Sequence, residues 1–576
     1  MKKDHKEIWL FPVGPLNARL ELAKRIRLDH PEYFVMVLLR REEKEEKSVL
    51  EGISASFRPS WRFLLSHIGK PGVIPFYSYA WRQNFLEMIS LAYLSGSFPL
   101  SICKEGSQPL GEKAISFFLK ILAFFFRSGI FYVFALILRN CLPLIVYIQR
   151  KPKPVKMNEK NWLMIPVYPD VSHHFIFQQV LHLSRLVPCE ITTVVKGDLK
   201  YRASYMEALD PLMKYLPPGN NLYMAAFKGF LHLAFTRSRK LLEACLEIER
   251  AAREEGEDLW SLRRFLLPFN PLYGLALYDL SKGQIPKSIH TYGLTLPTNY
   301  GMIFSMIFDI PHTATYYIDI PQGIPLRLFK LKGRRLKKVI VHTRHCIQEL
   351  ENLTGIPHEK ITYIPFGTSV EETNMTNQTN QSWELLAIGR LIPKKGFHIL
   401  IEACDILKRR QRGVRCVIVG DGPELPRLKT LVAKAQLDRW VFFAGEKNYD
   451  DYLSLLKPHR ILVQPSIIAE SGDHDGVPSV ILDAMARGLM VIGTRVGGIP
   501  EAIRDGENGL LIPPNDPEAL ANCIERLIVN PEVFRKISPA ARSTILQYYN
   551  SENSSREMAL ECGFIGIGAT AGWLKR

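Results

Sequence analysis

The chain has 576 residues, 47% apolar and 23% charged, which excludes wholesale disorder and predicts two to four domains rather than a single core. Nine cysteines are scattered with no C-x-x-C pair and no clustered histidine, so they read as reduced, buried thiols and not as a zinc site or a disulfide scaffold. The net charge of +17 is uneven, +11 over residues 1–160 and +6 over the remainder. Because its basic residues interleave with aliphatic and aromatic runs, it points to an anionic membrane surface and away from nucleic acid.

The opening MKKDHKEIWLFPVGP has a basic start, but its apolar run breaks after about six residues, short of a secretory signal core. A cytoplasmic protein is therefore expected. Residues 7–39 read as strand (IWLFPV), helix (LNARLELAKRIRL) and strand (YFVMVLL). Gly14 stands alone where a dinucleotide fingerprint needs three glycines.

The most hydrophobic stretch is 113–148, broken by Lys120, Arg127, Arg139 and Pro143. Lys113, Lys120 and Arg127 fall on one stripe of a helix whose other faces carry Phe117, Leu119, Ile121, Leu122, Phe124 and Phe125. This pattern suits a helix lying in the membrane interface. A spanning helix is the rival, with Arg139 near its middle at a cost of about 3 kcal/mol, and a buried soluble core is the third reading. The Pro-rich RKPKPVK that follows reads as a basic linker closing an N-terminal extension over 1–155.

A second α/β unit over 160–370 begins with strand LMIPVYP, helix FIFQQVLHLSRLV and strand ITTVVKG. A long helical stretch is expected over 202–267, then strand SIHTYG, and the unit ends near ITYIPFG. Polar residues 371–382 read as a linker. Over 383–545, strands LLAIG, CVIVG, VFFAG, ILVQPS, MVIGT and GLLIP alternate with helices. That rhythm predicts a parallel, doubly wound sheet with its ligand at the strands' carboxyl ends. Residues 546–576 form a tail expected to cross back.

The chemistry-bearing residues of this third unit sit just after its strands. Gly389-Arg390 and Lys394-Lys395-Gly396 place cations beside a helix start, suited to a diphosphate. Gly420 and Gly422 permit close ligand approach after CVIV, and Glu446 follows VFFAG. Gly476, Val477, Pro478 and Ser479 lead into a helix whose first amides face outward, and Asp475 and Asp483 flank that turn. Each turn alone is weak evidence, and together, in order along one sheet, they point to a phosphate-bearing ligand.

The segments GRLIPKKGFHILIEA, VIVGDGPELPRL, VFFAGE and DGVPSVILDAMARGLMVIGTRVGGIPEAI resemble the donor domain of family 4 glycosyltransferases, over roughly 382–530. YPDVSHHFIFQQV, SIHTYGLTLPTNYG and VIVHTRHCIQEL resemble more loosely the family's acceptor domain. The resemblance implies a GT-B fold of two Rossmann-like domains facing a cleft. It implies a retaining, metal-independent hexosyltransferase of the kind that builds exopolysaccharide or lipopolysaccharide. It implies a nucleoside diphosphate sugar as donor substrate, with no cofactor. Arg390 and Lys395 match the family's diphosphate pair. Asp475 and Asp483 match its two glutamates, the first beside the reacting sugar and the second on the ribose, each here one methylene shorter. Arg390, Lys395 and Asp475 are the expected catalytic residues, and Ser172, His173, His290 and Tyr317 the acceptor-side candidates, with His312 nearby.

With the basic surplus, including Arg327, Lys330, Lys332, Arg334, Arg335, Lys337 and Lys338, a lipid-linked saccharide acceptor and a peripheral or monotopic place at the inner membrane face are expected. Two other readings are a non-catalytic scaffold on this fold and a nucleotide-sugar epimerase or hydrolase. Nothing in the sequence sets the oligomeric state, the donor base or the sugar.

Overall fold

The computed structural model describes residues 156–170, 173–218, 220–257, 259, 270–317, 327–370, 384–456 and 460–566, and short strands before residue 102. The chain divides into two compact units, one of residues 1–132 with 265–267 and one of the rest. In the first unit Lys6–Leu10, Tyr33–Leu39 and Ser54–Phe57 form a parallel three-stranded sheet. The two strands expected near this start thus pair in parallel, whereas the helix between them and the hydrophobic segment 113–148 lie outside the described residues.

The second unit holds two parallel sheets. The first has β1 (Asn161–Tyr168), β2 (Cys189–Lys196), β3 (Met213–Tyr215), β4 (Ser288–Tyr292), β5 (His312–Tyr316), β6 (Lys338–Val341) and β7 (Ile361–Tyr363), in the order β7-β6-β5-β4-β1-β2-β3. The second has β8 (Glu384–Ile388), β9 (Arg415–Val419), β10 (Val441–Phe443), β11 (Arg460–Gln464), β12 (Met490–Thr494) and β13 (Leu510–Ile512), in the order β10-β9-β8-β11-β12-β13. Strands such as LLAI and MVIG are apolar on both faces because helices cover both sides of a parallel sheet.

In each sheet the strand order reverses direction once, between β4 and β1 and between β8 and β11. At such a switch point the flanking crossovers diverge to opposite sides and leave a crevice at the carboxyl ends. The loop after β1 carries His173 into helix α1 (His174–Leu186), and the loops after β8 and β11 carry Lys395 and Asp475. The positions of these loops follow from topology alone.

The helical stretch expected over 202–267 is broken instead into short turns, strand β3 and helices Asn220–Thr236 and Ser238–Glu254. Pro211 and the Pro217-Pro218 pair remove amide donors and clash with a continuing helix, and β3 uses the gap to extend the sheet edge. The expected linker 371–382 lies outside the described residues. Helix α2 (Ser551–Glu561) returns to the first sheet, where Ser554 Oγ donates to Pro365 O at 2.7 Å and Lys338 pairs with Glu561.

Candidate active site

A cavity of about 260 Å³ lies between the two sheets' carboxyl ends and takes its walls from both. On the second sheet's side, Lys395 ends a short turn, Pro393–Lys395, and its Nζ lies 2.9 Å from both carboxylate oxygens of Asp475. Ser466 Oγ donates to Asp475 Oδ2 at 2.6 Å, and Lys394 Nζ, itself bound to Asp473 Oδ1 at 3.0 Å, lies 3.8 Å from Asp475 Oδ1. Asp475 is only 6% exposed. Burial pushes its pKa up, but the Lys395 and Lys394 ammoniums and the Ser466 hydroxyl outweigh that and hold it below the usual carboxylate value. The site therefore keeps a buried, charged carboxylate with its lysine fixed in place.

Arg390 and Gly389 line the same cavity, as do Gly476, Val477, Pro478 and Ser479 at the start of helix α3 (Ser479–Ala486). Two glycines set the spacing. A Cβ on Gly420, at φ 141°, would stand 1.9 Å from Gly389 O, so the turns after β8 and β9 close on each other only without a side chain there. A Cβ on Gly497, at φ 51°, would stand 1.9 Å from Asp475 O, so the loop after β12 presses the Asp475 loop into position. Gly422 does not reach the cavity; its N–H donates to Asp421 Oδ1 at 2.7 Å within the turn.

Glu446 lines the cavity and accepts the Tyr201 hydroxyl at 2.8 Å from the first sheet's domain. Asp483 does not line it. Its carboxylate is 2% exposed and is taken up by the hydroxyls of Thr368 and Tyr452, with Tyr449 OH at 3.4 Å, so the expected ribose contact is screened by Tyr452, which does line the cavity. Burial raises the Asp483 pKa, and the three hydroxyls and Arg487 offset only part of that.

Of the acceptor-side candidates, His173 and Tyr317 line the cavity, and Ser172 lies outside the described residues. His290 is placed elsewhere: fully buried in β4, it bonds the Thr313 and Thr315 hydroxyls at 2.9 Å each, and burial drives its pKa well below the usual value. His312 is likewise a core histidine, 3.1 Å from Thr291 Oγ1. A strand with both faces covered gives its histidine threonine partners instead of substrate. His174, Phe175, His342, Ser466 and Tyr452 take part in the site although their sequence context did not mark them. His342 follows β6 as Arg390 follows β8, and strand-end position was the signal available for it.

Residues 371–544 match the family model of group 1 glycosyl transferases. The match covers this segment and not the rest of the chain. Among curated relatives, the amylovoran biosynthesis glycosyltransferase AmsK of Erwinia amylovora is 33% identical over 207 residues, 36% of this chain and 51% of that protein. The lipopolysaccharide core biosynthesis glycosyltransferase LpsE of Rhizobium meliloti is 31% identical over 168 residues, 29% of this chain and 46% of that protein. The chain spans about half the length of the curated relatives it matches. Among solved structures, Anabaena Alr3699/HepE in complex with UDP superposes with TM-score 0.51 at 17% identity, covering 69% of this chain and 98% of that one. Sucrose-phosphate synthase of Thermosynechococcus elongatus superposes with TM-score 0.50 at 18% identity, covering 70% and 98%. The shared fold is GT-B.

In the basic cluster at 327–338 one lysine is buried, Lys330, Arg334, Arg335 and Lys337 are exposed, and several of the cations are paired with carboxylates of the protein. Lys332 is fully buried, donating to Leu294 O at 2.5 Å and to Arg327 O, while Arg334, Arg335 and Lys338 pair with Glu254, Glu247 and Glu561. Among the described residues no helix is long and apolar enough to cross a membrane.

Proposed function

We propose that the cleft binds a nucleoside diphosphate sugar and transfers its sugar, with retention and without a metal, to a saccharide acceptor in surface polysaccharide or glycolipid synthesis. The observation that carries this is the Lys395–Asp475 pair beside Arg390 at the sheet's switch point. An ammonium has three donors. Two are held by Asp475, which leaves the third for a diphosphate oxygen without any rearrangement of the lysine. Arg390 adds a planar fork suited to phosphate, and the first amides of α3 add partial positive charge.

In the reaction the bond between the sugar's anomeric carbon and the diphosphate oxygen breaks, its electron pair leaving with the nucleotide. A bond from the acceptor oxygen forms on the same face, and the acceptor's proton passes to the departing phosphate. Charge grows on the diphosphate as positive charge grows on the sugar ring. Fixed cations stabilise the first and the Asp475 carboxylate the second, and both are oriented before the substrate arrives. Asp473 and Asp475 both face lysine ammoniums, a charge-balanced arrangement that favours metal-free catalysis.

The names of the relatives AmsK and LpsE, and the UDP bound by HepE, support a nucleotide-sugar enzyme of polysaccharide synthesis. The acceptor is lipid-linked on this reading, and the protein works at the cytoplasmic face of the membrane. Arg334, Arg335 and Lys338 of the 327–338 cluster already have carboxylate partners, so the attachment is assigned first to the basic, aromatic segment within residues 1–155. The domains are then an extension (1–155), an acceptor domain (160–370), a donor domain (383–545) and a returning tail. The testing experiment is nucleotide release from a panel of nucleoside diphosphate sugars, with and without a membrane extract.

A further inference from the structure

Three histidines of the acceptor domain line the cavity, and their second ring nitrogens differ in a way that assigns them different work. His174 stacks on Tyr449 at 4.2 Å and bonds Tyr205 OH through Nδ1 at 2.9 Å; its Nε2 is sealed in the wall without a partner. His342 donates Nδ1–H to Ile364 O at 2.8 Å, and its Nε2 is sealed likewise. Neither lone pair is open to a ligand. Burial also holds both rings neutral, at about 3 for His174 and about 4 for His342.

His173 is arranged otherwise. Its Nδ1 lies 2.8 Å from Asp170 Oδ1, and the ring is 17% exposed, on the cavity wall. A carboxylate only accepts, so Nδ1 carries the hydrogen and a neutral ring must present its lone pair on Nε2. Among the described residues Nε2 makes no hydrogen bond. The rings of Tyr317 and Phe175 flank it at 6.0 and 6.5 Å and limit its swing. Both dyad members belong to the turn after β1, at the switch point of the acceptor sheet.

The geometry points to an Asp170–His173 dyad that grips the acceptor: His173 Nε2 accepts a hydrogen bond from an acceptor hydroxyl next to the attacking one, and Asp170 is the positioning residue that fixes the tautomer. The role is binding and not proton removal, since the attacking hydroxyl's proton passes to the departing phosphate. A saccharide suits the site because adjacent hydroxyls let one be held while its neighbour reacts. The inference rests on the transferase reading above.

The test uses the full chain with the donor found by the panel and a lipid extract of the source cells as acceptor pool. Nucleotide binding is measured separately by calorimetry. His173→Phe keeps the ring's bulk without a lone pair, and the amount of extract needed for half-maximal rate rises about tenfold, the scale of one lost hydrogen bond to a partly buried group. Asp170→Asn, which offers Nδ1 a donor and turns Nε2 into N–H, does the same. His173→Gln, whose amide oxygen reaches a similar point, recovers part of the loss. Nucleotide affinity stays within about twofold in all three. Unchanged half-saturation in His173→Phe overturns the grip, as does an equal loss of nucleotide binding. A fall in kcat with half-saturation unchanged, and with the acid limb of the pH profile lost, would make His173 a proton acceptor instead. Absence of extract-stimulated release by the unaltered chain defeats the transferase reading and this inference with it.

Discussion

Glu501, from the second sheet's domain, caps a helix of the first sheet's domain: its Oε1 accepts the backbone N–H of His345 at 3.0 Å, and its Oε2 accepts that of Arg344 at 2.9 Å. These amides begin the helix His345–Thr354, so one carboxylate satisfies two helix-end donors across the cleft. Beside it His345 Nε2 and His474 Nε2 lie 3.0 Å apart, one residue from Asp475. Glu501→Ala removes a cap of about 1 kcal/mol and loosens the seam that holds the cleft closed. A lower unfolding temperature and a raised Michaelis constant for the donor are expected, with Glu501→Gln restoring both in part. Thermal melts and donor titrations check it.

Asp475 and Asp483 are shifted in opposite directions, and their effects on stability follow opposite signs. Asp475, held below its ordinary value, contributes stability that is present above the ordinary carboxylate range and lost as pH falls through its folded value. Asp483, raised by burial, contributes stability that is present below its unfolded value and lost as pH rises through its folded one. Asp483→Asn therefore flattens the decline of stability on the alkaline side of the carboxylate range, and Asp475→Asn flattens the acid-side decline. Denaturant titrations across mildly acid pH distinguish the two.

Much of the second sheet's domain was legible because a parallel sheet buries both faces. Its strands read as apolar runs, and the cavity-lining residues Arg390, Gly420 and Asp475 fall at their carboxyl ends. What was not legible depends on contacts from far along the chain. Asp483 reads as a ligand group from its spacing to Asp475, yet Thr368, 115 residues away, and Tyr452 fill its hydrogen bonds. His290 reads as a strand-end candidate until β5 supplies two threonines. The cluster at 327–338 reads as a patch of free cations, yet Lys332 is buried and Arg334, Arg335 and Lys338, still at least partly exposed, are paired with Glu254, Glu247 and Glu561 from other helices. Spacing reports a residue's own element, not what packs against it.

Asp475→Asn keeps the shape but removes the charge that anchors Lys395 and that, on the proposed function, faces the sugar. Transfer falls by about a hundredfold or more, while the chain stays folded and still binds nucleotide. Circular dichroism and nucleotide calorimetry, run beside the transfer assay, separate lost chemistry from lost structure.

Between Lys113 and Lys160 the chain has nine basic residues and one acidic one among aromatic runs. Each Lys or Arg near an anionic leaflet contributes about 1 kcal/mol before screening. The full chain is expected to sediment with membranes and a chain starting at Asn161 to remain in the supernatant. Carbonate releases a surface-bound form and leaves a spanning one behind.

Whether Lys395 and Arg390 hold a donor's diphosphate is tested most directly by donor-dependent sugar transfer to membrane extract by the unaltered chain, Arg390→Ala and Lys395→Ala. Transfer by the unaltered chain is expected, with a loss of at least about a hundredfold in each variant and weakened donor binding. Near-normal transfer in both variants would contradict it.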